Sequence, residues 1–186
     1  MKDYQKILVV VDPTTENQVA LARAVTLASK CNAQVTVFLS IFDFSYEMTS
    51  ILSNQEREAM RQGVIDQRLA WIQDLLAAYT HLQLNIDTQV IWHNRPFESI
   101  INHAISGQYD LIVKGTHAHD KLKAVIFTPT DWHLMRKAPV PVLMVKAHDW
   151  PAAGKILCAV NVATEDTDHQ MLNGKIIEHA KDLADK

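Results

Sequence analysis

The residue types in this chain that could do chemistry fall into a few groups, and most of them lack the spacing that chemistry requires. His117-Ala118-His119 followed by Asp120 is an H-x-H pair beside a carboxylate. Zinc requires three or four convergent ligands, and His93, His103 and His133 stand at no spacing that would join the pair, so it reads as a loop rather than a metal centre. Ser, Thr and His recur along the chain, yet no G-x-S-x-G elbow with an acid partner is present, which argues against a hydrolase. Neither G-x-G-x-x-G nor G-x-x-x-x-G-K-[ST] follows the first apolar run, which removes the dinucleotide and P-loop readings. Cys31 and Cys158 are far apart and outside C-x-x-C spacing; they read as reduced thiols of a cytosolic protein. What remains is a pair of opposite charges, Asp12 and Lys114, each closing an apolar run.

Those runs are strands. Ile7 to Val11 is a continuous β-branched and aliphatic stretch ending at Asp12-Pro13, as expected of a strand buried on both faces. Val19, Leu21, Ala22, Val25, Leu27 and Ala28 then recur at helical spacing up to Asn32, a C-terminal stop. Val35–Leu39 is the second strand, Ile86–Trp92 the third, Asp110–Lys114 the fourth and Val140–Val145 the fifth. Between them lie helices carrying the Ile65, Leu69, Ile72, Leu76, Tyr79 stripe, then residues 96–105 opened by Pro96, then residues 129–137. Asn94 precedes x-Pro and suits a left-handed turn. Strands alternating with helices imply right-handed crossovers and an open parallel sheet of an α/β fold, covered on both faces. Such sheets bind ligands beyond the carboxyl ends of their strands, at the switch in strand order. That gathers Asp12, Lys114 and the loop from Gly115 to Thr128 around one crevice.

The 186 residues, 48% of them hydrophobic, suffice for one full core. Lys plus Arg total 18 against 21 Asp plus Glu, so the basic surplus of a nucleic-acid binder is missing. No apolar run approaches the ~18 residues of a membrane span, and Met1–Lys6 lacks the apolar core of a secretory signal, so a cytoplasmic protein is expected. Past a linker at 147–154 the opening repeats itself: Lys155-Ile156-Leu157-Cys158-Ala159-Val160-Asn161 mirrors Lys6-Ile7-Leu8-Val9-Val10-Val11-Asp12. The expected organisation is a first domain over 1–146 and, over 155–186, the first strand and helix of an incomplete second one.

Four segments in this order resemble the universal stress proteins: Lys6–Asp12, the Asn94-Arg95-Pro96-Phe97-Glu98-Ser99-Ile100 turn, Asp110–His117, and Ala138–Val145. Phe42-Asp43-Phe44-Ser45-Tyr46-Glu47-Met48 and Val125–Leu134 are similar to the tandem-domain members of that family. The resemblance implies a Rossmann-like sheet in order 3-2-1-4-5 and a non-enzymatic cytoplasmic stress protein linked to survival of DNA-damaging agents. It implies pairing through the fifth strand, Val140 to Val145, with a second such domain or a second copy of the chain. Some members bind ATP through Gly-x2-Gly-x9-Gly-Ser after the fourth strand, where backbone N–H groups meet phosphate at a helix N-terminus. Mapped here, Gly115 survives, while Ala118, Thr128 and Pro129 replace the other positions, and Pro129 removes a donor. Val10, Val11, Asp12 and Ile41 match the adenine side; Lys114 stands where the family has an apolar residue. The reading is a degraded nucleotide site (Val10, Val11, Asp12, Ile41, Lys114, Gly115, Ala118, Thr128), no cofactor, and ATP binding that is weak at best. An ATP-binding switch with slow hydrolysis stays open, as does a carrier of a hydrophobic ligand using Phe42, Phe44, Tyr46, Met48, Ile51 and Leu52. Because a buried ammonium needs a partner, Lys114 is expected to meet the Asp12 carboxylate or a bound anion.

Overall fold

The computed structural model describes residues 4–45, 52–119, 122–148, 155–163 and 166–184. They divide into two compact units, Tyr4–Ala147 and the described residues from His148 onward.

In the first unit the chain runs β1 (Lys6–Val10), α1 (Val19–Cys31), β2 (Gln34–Ile41), α2 (Asn54–Leu76), a 3₁₀ turn (Ala77–Leu82) and β3 (Ile86–Trp92). It continues through α3 (Pro96–Ser106), β4 (Leu111–Gly115), β5 (His117–His119), β6 (Leu122–Ile126), α4 (Pro129–Lys137) and β7 (Val142–Val145). The main sheet has the order β3-β2-β1-β4-β7, all pairs parallel, which is the expected 3-2-1-4-5 arrangement. Because side chains alternate across a strand, the sheet has two separate apolar faces. Leu8 and Val10 of β1, Phe38 of β2 and Ile112 of β4 share one face and pack on Ile100 and Ala104 of α3 and Leu134 of α4. Ile7, Val9, Val35, Val37, Leu111 and Val113 bury the other parity, and Ala20, Leu21, Ala24, Val25, Leu27 and Ala28 are the buried stripe of α1. Each large aliphatic side chain so buried contributes about 1.5–3 kcal/mol.

Local signals hold the ends of these elements. Asn32 closes α1 in the left-handed conformation at φ 54°, as its place after the apolar stripe implied. Ser53 and Glu56 form a capping box on α2, and the Ser53 hydrogen bonds hold the Glu56 carboxyl below its usual range. Pro96 opens α3 at a first-turn position.

Three expectations are corrected. Asn94 is not left-handed; among the described residues positive φ occurs at Asn32, Gln83 and Gln108. The turn before α3 is held instead by His93, whose Nδ1 accepts the Arg95 N–H at 3.0 Å. The segment after Gly115, expected to be a loop, contains an antiparallel hairpin of β5 and β6, with Ala118 opposite Val125. The strand expected over 155–160 is absent. A strand satisfies its N–H and C=O groups only against a neighbour, and this segment has no partner strand within its own unit.

In that second unit, α5 spans Thr167–Ala184. The end of the repeated segment is clasped by α5: the Asn161 N–H donates to Asn173 Oδ1 at 3.1 Å, and Asn173 Nδ2 donates to the Asn161 carbonyl at 2.7 Å. Ile156, Leu157, Val162, Met171, Leu172 and Ile177 are exposed.

Candidate functional site

The register of β1 against β4 decides where the charge falls. Val10 pairs with Lys114, and Leu8 with Ile112, so Lys114 emerges two residues beyond Ile112 on the face covered by α3 and α4. On α4, Asp131 lies one turn before the core residue Leu134 and therefore shares its inward side. The two charged groups meet there: Lys114 Nζ is 2.7 Å from Asp131 Oδ1, with side-chain exposures of 10% and 0%. The ammonium also donates to the Gly115 carbonyl at 3.1 Å. The partner anticipated for Lys114 was Asp12 or a bound anion; the acid that meets it is Asp131, because α4 presents that carboxylate to the same face of the sheet.

Asp131 has a second duty. Thr128, Pro129, Thr130 and Asp131 form a capping box in which the Thr128 N–H donates to Asp131 Oδ2 at 2.7 Å and the Asp131 N–H donates to Thr128 Oγ1 at 3.3 Å. Its other oxygen, Oδ1, takes no further hydrogen bond and faces the ammonium. A carboxylate thus sits where the positive end of the α4 dipole favours an anion. Thr128 itself adopts ordinary extended backbone at φ −74° and ψ 163°, a position needing no glycine.

At the opposite wall, Asp12 organises the link from β1 to α1. Its Oδ1 accepts from the Thr14 N–H at 2.9 Å and the Thr14 hydroxyl at 2.6 Å. Gln18 clasps the same residue from α1, accepting the Asp12 N–H at 3.0 Å through Oε1 and donating through Nε2 to the Asp12 carbonyl at 2.6 Å. The amide of Asn173 treats Asn161 in the same way in the second unit. Gln18 was not singled out from the sequence; a polar residue before an apolar helix stripe carries no signal for a bond six residues back.

Between these walls lies a cavity of about 780 Å³. Val10, Val11, Asp12, Lys114, Gly115 and Thr128 all line it, so six of the eight residues assigned to the crevice converge there. Leu39, Ser40 and Ile100 complete its floor. Ile41 does not line the cavity: it is the last residue of β2, one past the lining Ser40, and pairs with Trp92 of β3. Ala118 lies in the β5–β6 hairpin instead of a phosphate-binding coil. At Gly115 an added Cβ would meet Val19 Cγ2 at 3.6 Å, an ordinary contact, so the surviving glycine is not forced by space. The volume is in the range of small-molecule sites, and the lining joins apolar side chains to many polar ones, among them the carboxyl groups of Asp12 and Glu16 and the Lys114 ammonium.

The remaining candidates separate. His103, half-buried on α3, packs on Phe38 with ring centroids 4.9 Å apart, and burial pushes its imidazole below the ordinary range. His133 stacks on Phe97 at 4.0 Å. Among the described residues no cluster of three or more His, Cys, Asp or Glu could hold a metal ion; Asp120 lies outside them. Phe42 packs beside Trp92 at 5.9 Å and Phe44 is exposed, while Tyr46, Met48 and Ile51 lie outside the described residues. No described helix is long and apolar enough to cross a membrane.

Comparison with known proteins accords with this geometry. The model of the universal stress protein family matches residues 3–146. The chain belongs to the universal stress protein family. It is 53% identical over 186 residues to universal stress protein E of Escherichia coli (strain K12), covering all of this chain and 59% of that protein. This family member therefore spans less than two thirds of the length of the curated relative it matches. A longer chain of known structure from Pseudomonas aeruginosa UCBPP-PA14 superposes with a TM-score of 0.73 at 30% identity, over 97% of this chain and 57% of its own. A universal stress protein crystallised in complex with cAMP shares the fold at a TM-score of 0.55 and 19% identity, over 79% of this chain and 100% of its own.

Proposed function

We propose that this universal stress protein acts in the cytoplasmic stress response by binding, without transforming what it binds, and that its role is survival of DNA-damaging agents. The observation that carries the binding half of this reading is the crevice itself. It keeps the apolar floor and the Asp12 wall of a nucleoside-sized site, while the lysine that would meet a phosphate is already paired with the buried Asp131 carboxylate. Family membership supports the stress-response half. The carboxylate at the crevice wall, Asp12, is engaged by the Thr14 N–H and hydroxyl in a local turn, and the α4 end that would support phosphoryl chemistry is already capped.

The organisation we propose is a first domain ending near 146, a linker, and the start of a second domain, supported by the repeat of Lys6–Asp12 at Lys155–Asn161 and by the parallel clasps on Asp12 and Asn161. Pairing through β7 fits its place at one end of the sheet, with β4 on one side.

The test is isothermal calorimetry of adenosine and ATP with the chain, together with a search for ADP in the ATP sample. Adenosine binding at least as tight as ATP, with ATP recovered intact, is the expected result. ATP binding below micromolar Kd, more than about 8 kcal/mol, or ADP released at a steady rate, refutes it. The stress role is tested separately, by complementing a deletion strain and scoring survival after ultraviolet irradiation.

A further inference from the structure

We infer that Asp131 is the residue that sets the charge specificity of the crevice: held against Lys114, it closes the pocket to phosphates and leaves it selective for an uncharged ligand of nucleoside size. The inference rests on reading the crevice as a ligand site, and its test separates the two.

Lys114 is a wall of the cavity, and Asp131 stands directly behind it, fully buried and 2.7 Å from its ammonium. An anion entering the pocket would approach a cation whose charge is already met from the other side. Of the ammonium's three N–H groups, Asp131 and the Gly115 carbonyl take two. The same carboxylate also takes the Thr128 N–H through its second oxygen, and Pro129 has none to give. Thus one side chain both meets the lysine charge and takes the Thr128 N–H at the start of α4, two donors that a phosphate would otherwise use. An uncharged ligand loses nothing by this arrangement. It meets Val10, Val11, Leu39 and Ile100 as floor and the groups around Asp12 as rim. A neutral partner could reach the third N–H of Lys114 without needing its charge.

Asp131→Asn keeps the size of the side chain and an oxygen for the Thr128 N–H, but leaves the Lys114 charge unmet. Lys114→Met does the reverse and leaves the buried carboxylate without its cation. The measurement is the ratio of ATP to adenosine affinity by calorimetry, with inorganic pyrophosphate as a base-free anion probe, on the wild-type chain and both variants. Asp131→Asn is expected to shift the ratio at least tenfold toward ATP and to gain pyrophosphate binding. Lys114→Met is expected to shift the ratio at least tenfold the other way, so the inference remains testable should either variant fail to fold. A folded variant whose ratio stays within twofold of wild type overturns the inference. If neither adenosine nor ATP binds the wild type, yet pyrophosphate binds Asp131→Asn alone, the nucleoside reading falls and the role of Asp131 stands.

Discussion

Lys114→Met removes the cation from a pair whose carboxylate has no exposure at all. At the observed 2.7 Å, and with an effective dielectric of ~20, the gross attraction is about 6 kcal/mol. Desolvation of both ions cancels much of it, so removal of one partner costs about 3–5 kcal/mol, the penalty of an unmet buried charge. Asp131→Asn falls in the same range, because it strands the ammonium with the Gly115 carbonyl as its remaining described partner. The double variant Lys114→Met with Asp131→Asn has no stranded charge and keeps an oxygen for the Thr128 N–H. It should lose only about 1–2 kcal/mol, mostly from a weakened helix cap. The cycle therefore predicts a coupling of several kcal/mol, well beyond the ~0.5 kcal/mol scatter of independent sites. Urea unfolding followed by far-ultraviolet circular dichroism reads it directly. With slopes of ~1–3 kcal/mol per molar, each single variant should lose roughly 2 M in midpoint and the double variant less than either. A double variant as unstable as the two singles combined would refute the claim that the pair is one electrostatic unit.

Other outcomes follow from the same geometry. Restoring the family's residues by Ala118→Gly, Thr128→Gly and Pro129→Ser should raise ATP affinity only slightly while Asp131 remains, and by at least a further tenfold when Asp131→Asn is added; calorimetry on the two combinations decides. Gln18→Ala should cost about 1–2 kcal/mol, since the half-buried Asp12 N–H and carbonyl each lose a partner, and should weaken ligand binding at that wall. His103 has its imidazole pushed below 6.5 by burial, so the folded state disfavours its protonated form. The stability it contributes is present above pH 6.5 and lost as pH falls from there through the depressed folded value. Urea midpoints at pH 7.5 and pH 5 should show a larger drop in wild type than in His103→Gln. Finally, Pro141 and Val145 accept bonds from Ile112 of β4 and from Thr116 just past it, so by alternation the Met144 N–H points away from β4. Met144→Pro should abolish the pairing proposed through β7, read by light scattering, while leaving the β4 ladder intact.

The elements were largely readable before any coordinates because their signals are local. Ile86–Trp92 occupies the span its β-branched run marked, Asn32 is left-handed where the helical stripe stops, and Pro96 opens α3 where its missing N–H is harmless. The strand order followed from the family resemblance together with the right-handed crossover rule, which leaves few ways to lay five strands side by side. Val10, Val11, Asp12, Lys114, Gly115 and Thr128 line one cavity, because strand ends of a parallel sheet converge whatever the side chains are.

Partners were not readable in the same way. Thr128-Pro129-Thr130-Asp131 carries a capping-box spacing in plain sight, but nothing local shows that its carboxylate reaches a lysine 17 positions earlier. That contact depends on the register of β1 against β4 and on which side of α4 faces the sheet, both properties of the packed core. The hairpin within 115–128 and the missing strand at 155–160 have the same origin, since a β segment exists only when a second one lies alongside. Residue types and spacing determined the strands and the helices between them, and the family resemblance their order. The tertiary structure alone decided that the crevice lysine meets a buried carboxylate, because ion pairing is a matter of a few ångströms and those are set by packing rather than by sequence distance.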